Sequence, residues 1–312
     1  MTTPTILKVG SLEEALCAVP YLLGFHPSES LVLVFIEAGR VRLTARVDLT
    51  DAADPGPLWE LLSRAFGRFE DAELLAVAYA GDHDLADRIL GEIECGLDST
   101  SLLAAVVVDD GRWWFSGLPD VPGGSYRPDT SAVAAEAVVN GLAAQRSRAK
   151  LTELVTQPAS ADCGELARLF EDTRSQAGGI DTCWADELVL RLTRALGAGA
   201  ASSHPELAWL GVLASEPTAR DAAARSITCA DAREHFELWA AVLRICPTHW
   251  RHGPLTILGL AAWVCGEGAI QTECLRMASD SDPQDPFVLF QHSVQASILP
   301  GWEWDRLNRR HP

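Results

Sequence analysis

The spacing of hydrophobic and polar positions first predicts an α-helix near the N-terminus. Ser11 and Glu14 have the spacing of a capping box, which satisfies free backbone N–H groups at a helix start. Apolar residues follow at helical spacing as far as Leu23. Gly24 can end the helix in a left-handed conformation, and Pro27 prevents its continuation. We therefore expect a helix from Ser11 to Leu23, followed by a tight turn.

Two strands are predicted directly after this turn. Residues 31–36 are apolar at every position, which is typical of a strand buried on both faces. A short turn at Gly39 follows, and residues 41–49 then alternate strictly between apolar and polar. The polar positions of this second strand are Arg42, Thr44, Arg46 and Asp48. The pattern predicts a hairpin whose second strand has one polar face.

The remainder of the first half alternates between helix and strand patterns. Helical spacing recurs over 58–69, 83–93 and 130–144, and continuous apolar runs cover 74–79 and 102–108. Asp110-Gly111 separates the second run from 112–115, and such a pair between apolar segments favours a hairpin. Residues 117–128, rich in Gly and Pro, are predicted to be a loop. Single helices between strands favour parallel crossovers, so we expect a mixed sheet flanked by helices.

Strand patterns are not found after about residue 147. Helical segments separated by short turns are predicted over 151–156, 165–176, 183–196, 205–214, 219–228, 233–245, 255–264, 269–278 and 287–297. Within 255–283 the small and apolar residues fall near the spacing of a tetratricopeptide (TPR) repeat, although Gln271 stands where that pattern has a small residue. We predict an α/β domain with a mixed sheet over residues 1–145 and an all-α, TPR-like domain over residues 146–312.

Composition and charge exclude several classes of function. The 312 residues carry a formal net charge of −18, which disfavours nucleic acid and anionic membrane as partners. No apolar run approaches the ~18 residues needed to cross a bilayer, and the N-terminus lacks the pattern of a signal peptide. None of the eight cysteines has a second cysteine at metal or redox-motif spacing. These features predict a cytoplasmic protein without a metal or other cofactor.

The turn after the first helix contains candidate chemistry. His26 stands close to Ser28 and Ser30, and a serine needs an adjacent base to act as a nucleophile. Neighbouring side chains in a tight turn rarely face one another, and no G-x-S-x-G motif surrounds either serine. Turn formation and capping account for these residues without catalysis, so we assign no catalytic residue.

Two further groups could bind a ligand. Arg46 and Asp48 lie on the polar strand face, where the guanidinium could bind an anion or simply pair with the aspartate. Arg112 and Trp113 follow the second hairpin turn, where an indole could stack on a planar ligand or cover the edge of the core. His249 and His252 are three residues apart without a metal-ligand partner nearby, and we expect them in a loop between helices.

Several segments taken in order resemble a known family. They are 19–30, 44–49, 111–114, 131–138 and 266–268. Together they resemble the actinobacterial domain-of-unknown-function 4192 family over nearly the whole chain. The resemblance implies an intracellular actinobacterial protein and implies no particular activity or ligand.

Two functional hypotheses follow. The first is a non-enzymatic interaction or regulatory module whose helical half binds a protein partner. The alternative is a small-ligand sensor or enzyme, with a polar site at the strand ends that could take a small anion. The candidate ligand-binding residues for this alternative are His26, Ser28, Ser30, Arg46, Asp48, Arg112 and Trp113.

Overall fold

The computed structural model describes residues 11–98, 101–118, 120–139, 144–147, 153, 155, 163–179, 183–198 and 202–309. The chain forms two compact units, Thr3–Arg148 and Ala149–Pro312. In the described part of the chain, none of the helices combines the length and the apolar character that a bilayer crossing requires.

A six-stranded mixed sheet forms the centre of the N-terminal unit. Its strands are β1 Ser30–Glu37, β2 Arg40–Asp48, β3 Glu73–Tyr79, β4 Leu102–Asp109, β5 Arg112–Phe115 and β6 Gly124–Ser125. The strand order is β2-β1-β3-β4-β5-β6. Only β3 and β4 pair in parallel, joined by a helical crossover, and the other neighbours are antiparallel. The predicted mixed sheet is confirmed.

One strand lies where the sequence pattern predicted only loop. β6 contains two residues and pairs with β5, with Gly124 opposite Trp113. The approach is so close that a Cβ atom on Gly123 would lie 1.8 Å from the Trp113 carbonyl oxygen. Glycines allow this backbone contact, and a strand of two residues is too short to give a periodic signal.

Helices cover both faces of the sheet. They are α1 Leu12–Leu23, α2 Leu49–Ala52, α3 Pro55–Arg68, α4 His83–Gly96 and α5 Ala132–Val139. α1 packs on the face that carries Val32 and Val77, and α5 packs against α1. α3 lies on the opposite face, where Phe66 meets Phe35 edge to face with ring centroids 5.2 Å apart. α5 begins at Ala132 rather than at residue 130, and residues 140–143 of the predicted helix lie outside the described residues.

The ends of α1 follow from its sequence. The Glu14 backbone N–H donates to Ser11 Oγ at 3.2 Å, as a capping serine should allow. Gly24 ends the helix at φ 79°, in the left-handed region that glycine adopts without steric cost. The turn that follows contains His26 and leads to Ser30, the first residue of β1.

The C-terminal unit is helical throughout its described part. Its helices are α6 Cys163–Ala177, α7 Trp184–Ala198, α8 His204–Leu213, α9 Pro217–Ser226, α10 Ala232–Ile245, α11 His252–Val264, α12 Gly268–Ser281, α13 Pro286–Ala296 and α14 Trp304–Asn308. Residues 153 and 155 are helical, and the rest of the predicted segment 151–156 lies outside the described residues. His249 lies in the connection between α10 and α11, as expected, within a 3₁₀ turn over Thr248–Trp250. His252 does not lie in this connection, because it is the first residue of α11.

α11 is the central helix of this unit and is buried along nearly its whole length. Its first turn approaches the end of α8 so closely that a Cβ atom on Gly253 would lie 2.0 Å from the Ala214 carbonyl oxygen. Further along, a Cβ atom on Gly259 would lie 3.3 Å from Cys274 Cβ of α12. Small residues therefore set the spacing of α11 from its neighbours.

Candidate functional site

The strand register of the N-terminal unit builds a row of side chains across one end of the sheet. Ser30 of β1 lies opposite both Asp48 of β2 and Tyr79 of β3, Tyr79 lies opposite Val108 of β4, and Val108 opposite Trp113 of β5. Directly opposed residues point to the same face of a sheet. This face is the one covered by α1. We call these five residues the terminal row.

The terminal row contains buried polar atoms with few or no partners. Ser30 is fully buried and Tyr79 is 4% exposed. Among the described residues, Ser30 Oγ and Trp113 Nε1 have no hydrogen-bond partner, and the Tyr79 hydroxyl has only a poorly aligned hydrogen bond with the Tyr126 hydroxyl. The great majority of buried polar side-chain atoms in proteins have at least one partner, and each that lacks one costs about 1–3 kcal/mol. This concentration of buried polar atoms makes the terminal row a candidate site.

A second phenol adjoins the terminal row. The rings of Tyr126 and Tyr79 meet edge to face with centroids 5.8 Å apart, and their buried hydroxyls form a poorly aligned hydrogen bond with each other. Burial, with a smaller contribution from the neighbouring phenol, raises the pKa of Tyr79 well above its ordinary value. Burial likewise raises the pKa of Tyr126. Both hydroxyls are therefore neutral at physiological pH and can donate as well as accept hydrogen bonds.

Arg46 supplies positive charge beside the row. It lies opposite Val32 and therefore shares the face of Ser30. Its Nη2 atom lies 2.6 Å from Asp48 Oδ1. Of the two alternatives raised by the sequence, anion binding and an ion pair with Asp48, the ion pair is therefore present. Its Nε atom is buried and has no partner among the described residues. A guanidinium has five N–H donors, so this pair leaves donors for a second acceptor.

His26 lies in an open cleft at the end of α1. Its backbone N–H donates to the Gln145 carbonyl, which fixes the turn against residues 144–146. Its Nε2 atom lies 3.1 Å from Asp129 Oδ1. His26, Asp129, Ala144 and Arg146 line the cleft, whose volume is about 610 Å³. The cleft is thus lined by two basic side chains, His26 and Arg146, and by the exposed carboxylate of Asp129.

The seven candidate residues do not converge on one point. Ser30, Asp48 and Trp113 belong to the terminal row, Arg46 lies beside it, and Ser28 and Arg112 are exposed. β2 and β5 are separated by three strands, so Asp48 and Trp113 stand about 19 Å apart across the sheet. Trp113 packs on the core, in agreement with its role at the core edge. Tyr79 and Tyr126 were not identified from the sequence because neither belongs to a motif.

The C-terminal unit holds a second polar cluster, centred on Asp285. The Asp285 Oδ1 atom accepts the backbone N–H groups of Phe287 at 2.7 Å and Val288 at 3.3 Å, and so caps α13. Its Oδ2 atom accepts from Arg220 Nη1 of α9 and lies 2.9 Å from His252 Nε2 of α11. One carboxylate therefore joins three helices.

The charges in this cluster are well buried. The side chains of Arg220 and Asp285 are 5% and 8% exposed. Burial alone would raise the pKa of Asp285, but the hydrogen bonds from His252 and Arg220 bring it down to about 2. Possible ligand atoms of His252, Asp282 and Asp285 also lie within 4.8 Å of one another, which is close enough for a metal ion. Both Asp285 oxygens already accept hydrogen bonds, and the Arg220 cation at Oδ2 opposes a metal there.

A cavity of about 400 Å³ opens beside the cluster. The lining side chains combine charge with aromatic surface. They are Pro217, Arg220, Asp221, Asp282, Gln284, Asp285, Pro286, Phe287 and Phe290. None of these residues was singled out from the sequence, because they come from α9, α13 and the segment before α13.

The fold and these sites define a protein of two units, an α/β unit with a mixed sheet and a helical unit. Searches of curated proteins and of solved structures found no significant match to the chain. A family model described as "Domain of unknown function (DUF4192)" matches residues 13–300, which is nearly the whole chain. The chain belongs to this family, as the resemblance indicated.

Proposed function

We propose that the N-terminal unit binds a small anionic ligand at the terminal row. The observation that carries this proposal is a pair of buried polar atoms on one face of the sheet, Ser30 Oγ and Arg46 Nε, which have no hydrogen-bond partner among the described residues. A bound molecule with acceptor oxygens would give these donors partners.

The preference for an anion comes from a guanidinium donor that the Arg46–Asp48 ion pair does not use. The buried Nε atom of Arg46 has no partner among the described residues and lies on the same face as Ser30. Hydrogen bonds from guanidinium to carboxylate are short and roughly twice as strong as neutral ones. Tyrosine and serine hydroxyls can add uncharged donors. This donor set suits a carboxylate or a similar small oxyanion. We propose binding rather than catalysis, because no nucleophile–base pair has been identified among these residues.

Thermal unfolding of the full chain tests this proposal. The probes are acetate, succinate, citrate and inorganic phosphate, each compared with chloride at equal ionic strength. A ligand at 100 times its Kd stabilises the folded protein by about 2.7 kcal/mol. We expect at least one probe to stabilise the unaltered protein, and Ser30→Ala and Arg46→Gln to remove most of that effect.

Ser28→Ala is the matched control, since Ser28 is exposed two residues away. Without a ligand, Ser30→Ala should not lower stability, because it removes a buried hydroxyl that has no partner. A loss above about 1 kcal/mol in the ligand-free protein would mean that bound water already satisfies this hydroxyl. That result would contradict the proposal. Equal stabilisation of Ser28→Ala and Ser30→Ala by every probe would contradict it as well.

A second candidate function is protein binding by the helical unit, which the sequence favoured. The cavity beside Phe287 is the observation in its favour. The close approach of α11 and α12 at Gly259 supports a TPR-like arrangement of this helix pair. Against it, Gln271 is buried at a position where the repeat pattern has a small residue, and its Nε2 atom has no partner in the part of the chain that the structure describes. TPR-like character, a cytoplasmic location and an actinobacterial origin stay predictions.

A further inference from the structure

The cavity of the helical unit has an excess of negative charge. Asp221, Asp282 and Asp285 line it together with a single cation, Arg220. The Arg220 guanidinium is buried and already contacts both Asp285 and Asp221. Asp282 is exposed and uses one oxygen to accept the Gln284 backbone N–H. The rim therefore offers carboxylate oxygens to a positively charged group.

The same cavity has an aromatic wall. The rings of Phe287 and Phe290 lie at an interplanar angle of 13° with centroids 6.2 Å apart. Arg220 Cζ lies 5.3 Å from the centroid of the Phe287 ring. The unit thus already binds one guanidinium between an aromatic face and carboxylates. Planar guanidinium groups stack on aromatic rings more readily than ammonium groups do.

We propose that this cavity binds an arginine side chain of a protein partner. The occupant would pack against the rings of Phe287 and Phe290 beside Arg220 and donate hydrogen bonds to Asp282. A cavity of about 400 Å³ suits one long side chain better than a folded segment. The formal charge of −18 would also draw a basic partner towards the chain. The proposal deepens the second candidate function and is independent of the anion site.

The test uses the full chain and three small probes, N-acetyl-arginine methylamide and its citrulline and lysine counterparts. Binding is measured by NMR titration at millimolar concentration. Citrulline has the shape of arginine without its charge, so we expect at least tenfold weaker binding of that probe. Asp282→Asn should weaken arginine binding at least fivefold while keeping the turn, because asparagine can accept the same backbone N–H.

Phe287→Ala should weaken binding by a similar factor, and its circular dichroism must match that of the unaltered protein. Asp280→Asn is the control, since it makes the same substitution two residues away at an exposed site outside the cavity.

Equal affinity for the arginine and citrulline probes would overturn the proposal. Displacement of the arginine probe by Mn²⁺ or Zn²⁺ in an Asp282-dependent manner would identify a metal site instead. A protein partner that still binds Phe287→Ala and Asp282→Asn would overturn this site while leaving partner binding by the unit intact.

Discussion

Replacing Asp285 with asparagine should destabilise the protein by removing the charge that pairs with Arg220. Asparagine keeps a side-chain oxygen that can cap α13, so the substitution isolates the effect of charge from the effect of capping. Asp285→Ala removes both the charge and the capping oxygen, and we expect it to lower the free energy of unfolding by about 1 kcal/mol more than Asp285→Asn does.

The magnitude follows from two properties of the site. The pKa of Asp285 is lowered from 3.8 to about 2, and each unit of pKa corresponds to about 1.4 kcal/mol. The surroundings of Asp285 therefore favour its ionised form by about 2 kcal/mol, as the net result of burial and pairing. The substitution also leaves the Arg220 guanidinium, 5% exposed, without its main carboxylate. Removing one partner of a buried ion pair costs about 3–5 kcal/mol. We expect a loss between about 2 and 4 kcal/mol at neutral pH.

Urea unfolding followed by circular dichroism at 222 nm measures this loss, with Asp280→Asn as the exposed control. The difference between the unaltered protein and Asp285→Asn should also depend on pH. A lowered pKa stabilises the folded state fully above the unfolded pKa near 4, and this stabilisation is lost as the pH falls to about 2. Equal urea midpoints for the two asparagine variants at pH 7, or a difference that persists unchanged at pH 2, would refute the reasoning.

Two further predictions concern packing and thiol chemistry. Gly253→Ala should destabilise by roughly 2 kcal/mol or more in urea unfolding, since the added Cβ would lie 2.0 Å from a backbone oxygen, whereas Gly268→Ala, with no atom within 4 Å, should be neutral or stabilising. Equal urea midpoints for Gly253→Ala and Gly268→Ala would contradict this prediction, because they would show that α11 can move away from α8. Iodoacetamide on the folded protein should modify exposed Cys95 and Cys183 but spare Cys246, because burial raises the pKa of that thiol to about 12. Peptide mapping by mass spectrometry checks this, and early labelling of Cys246 would contradict it.

Local patterns predicted most of the elements because their causes are local. The Ser11 cap and the Gly24 stop define α1 within a few residues. Asp110 and Gly111 adopt φ values of 42° and 73°, which is the left-handed turn geometry that the Asp-Gly pair favours. β6 was missed because its pairing depends on the close approach of Gly123 to the Trp113 backbone, which has no periodic signal.

The candidate sites were less predictable because they depend on register and packing. Ser30 and Asp48 were named from the sequence, but Tyr79 joins them only through the strand order. Arg220 and Asp285 are 65 residues apart and meet because α9 and the start of α13 pack near α11. Local spacing contains no information about such contacts, so the cavity could not be inferred from the sequence.

The two edges of the sheet affect how the protein behaves at high concentration. An exposed edge strand presents unpaired backbone groups on which another chain could add a strand. At one edge β6 has only two residues, which leaves little backbone for such an addition. At the other edge β2 has nine residues and carries Arg40, Arg42, Arg46 and Asp48, so an added strand would meet charged side chains along its length. The sheet is therefore protected against edge-to-edge aggregation by shortness on one side and by charge on the other.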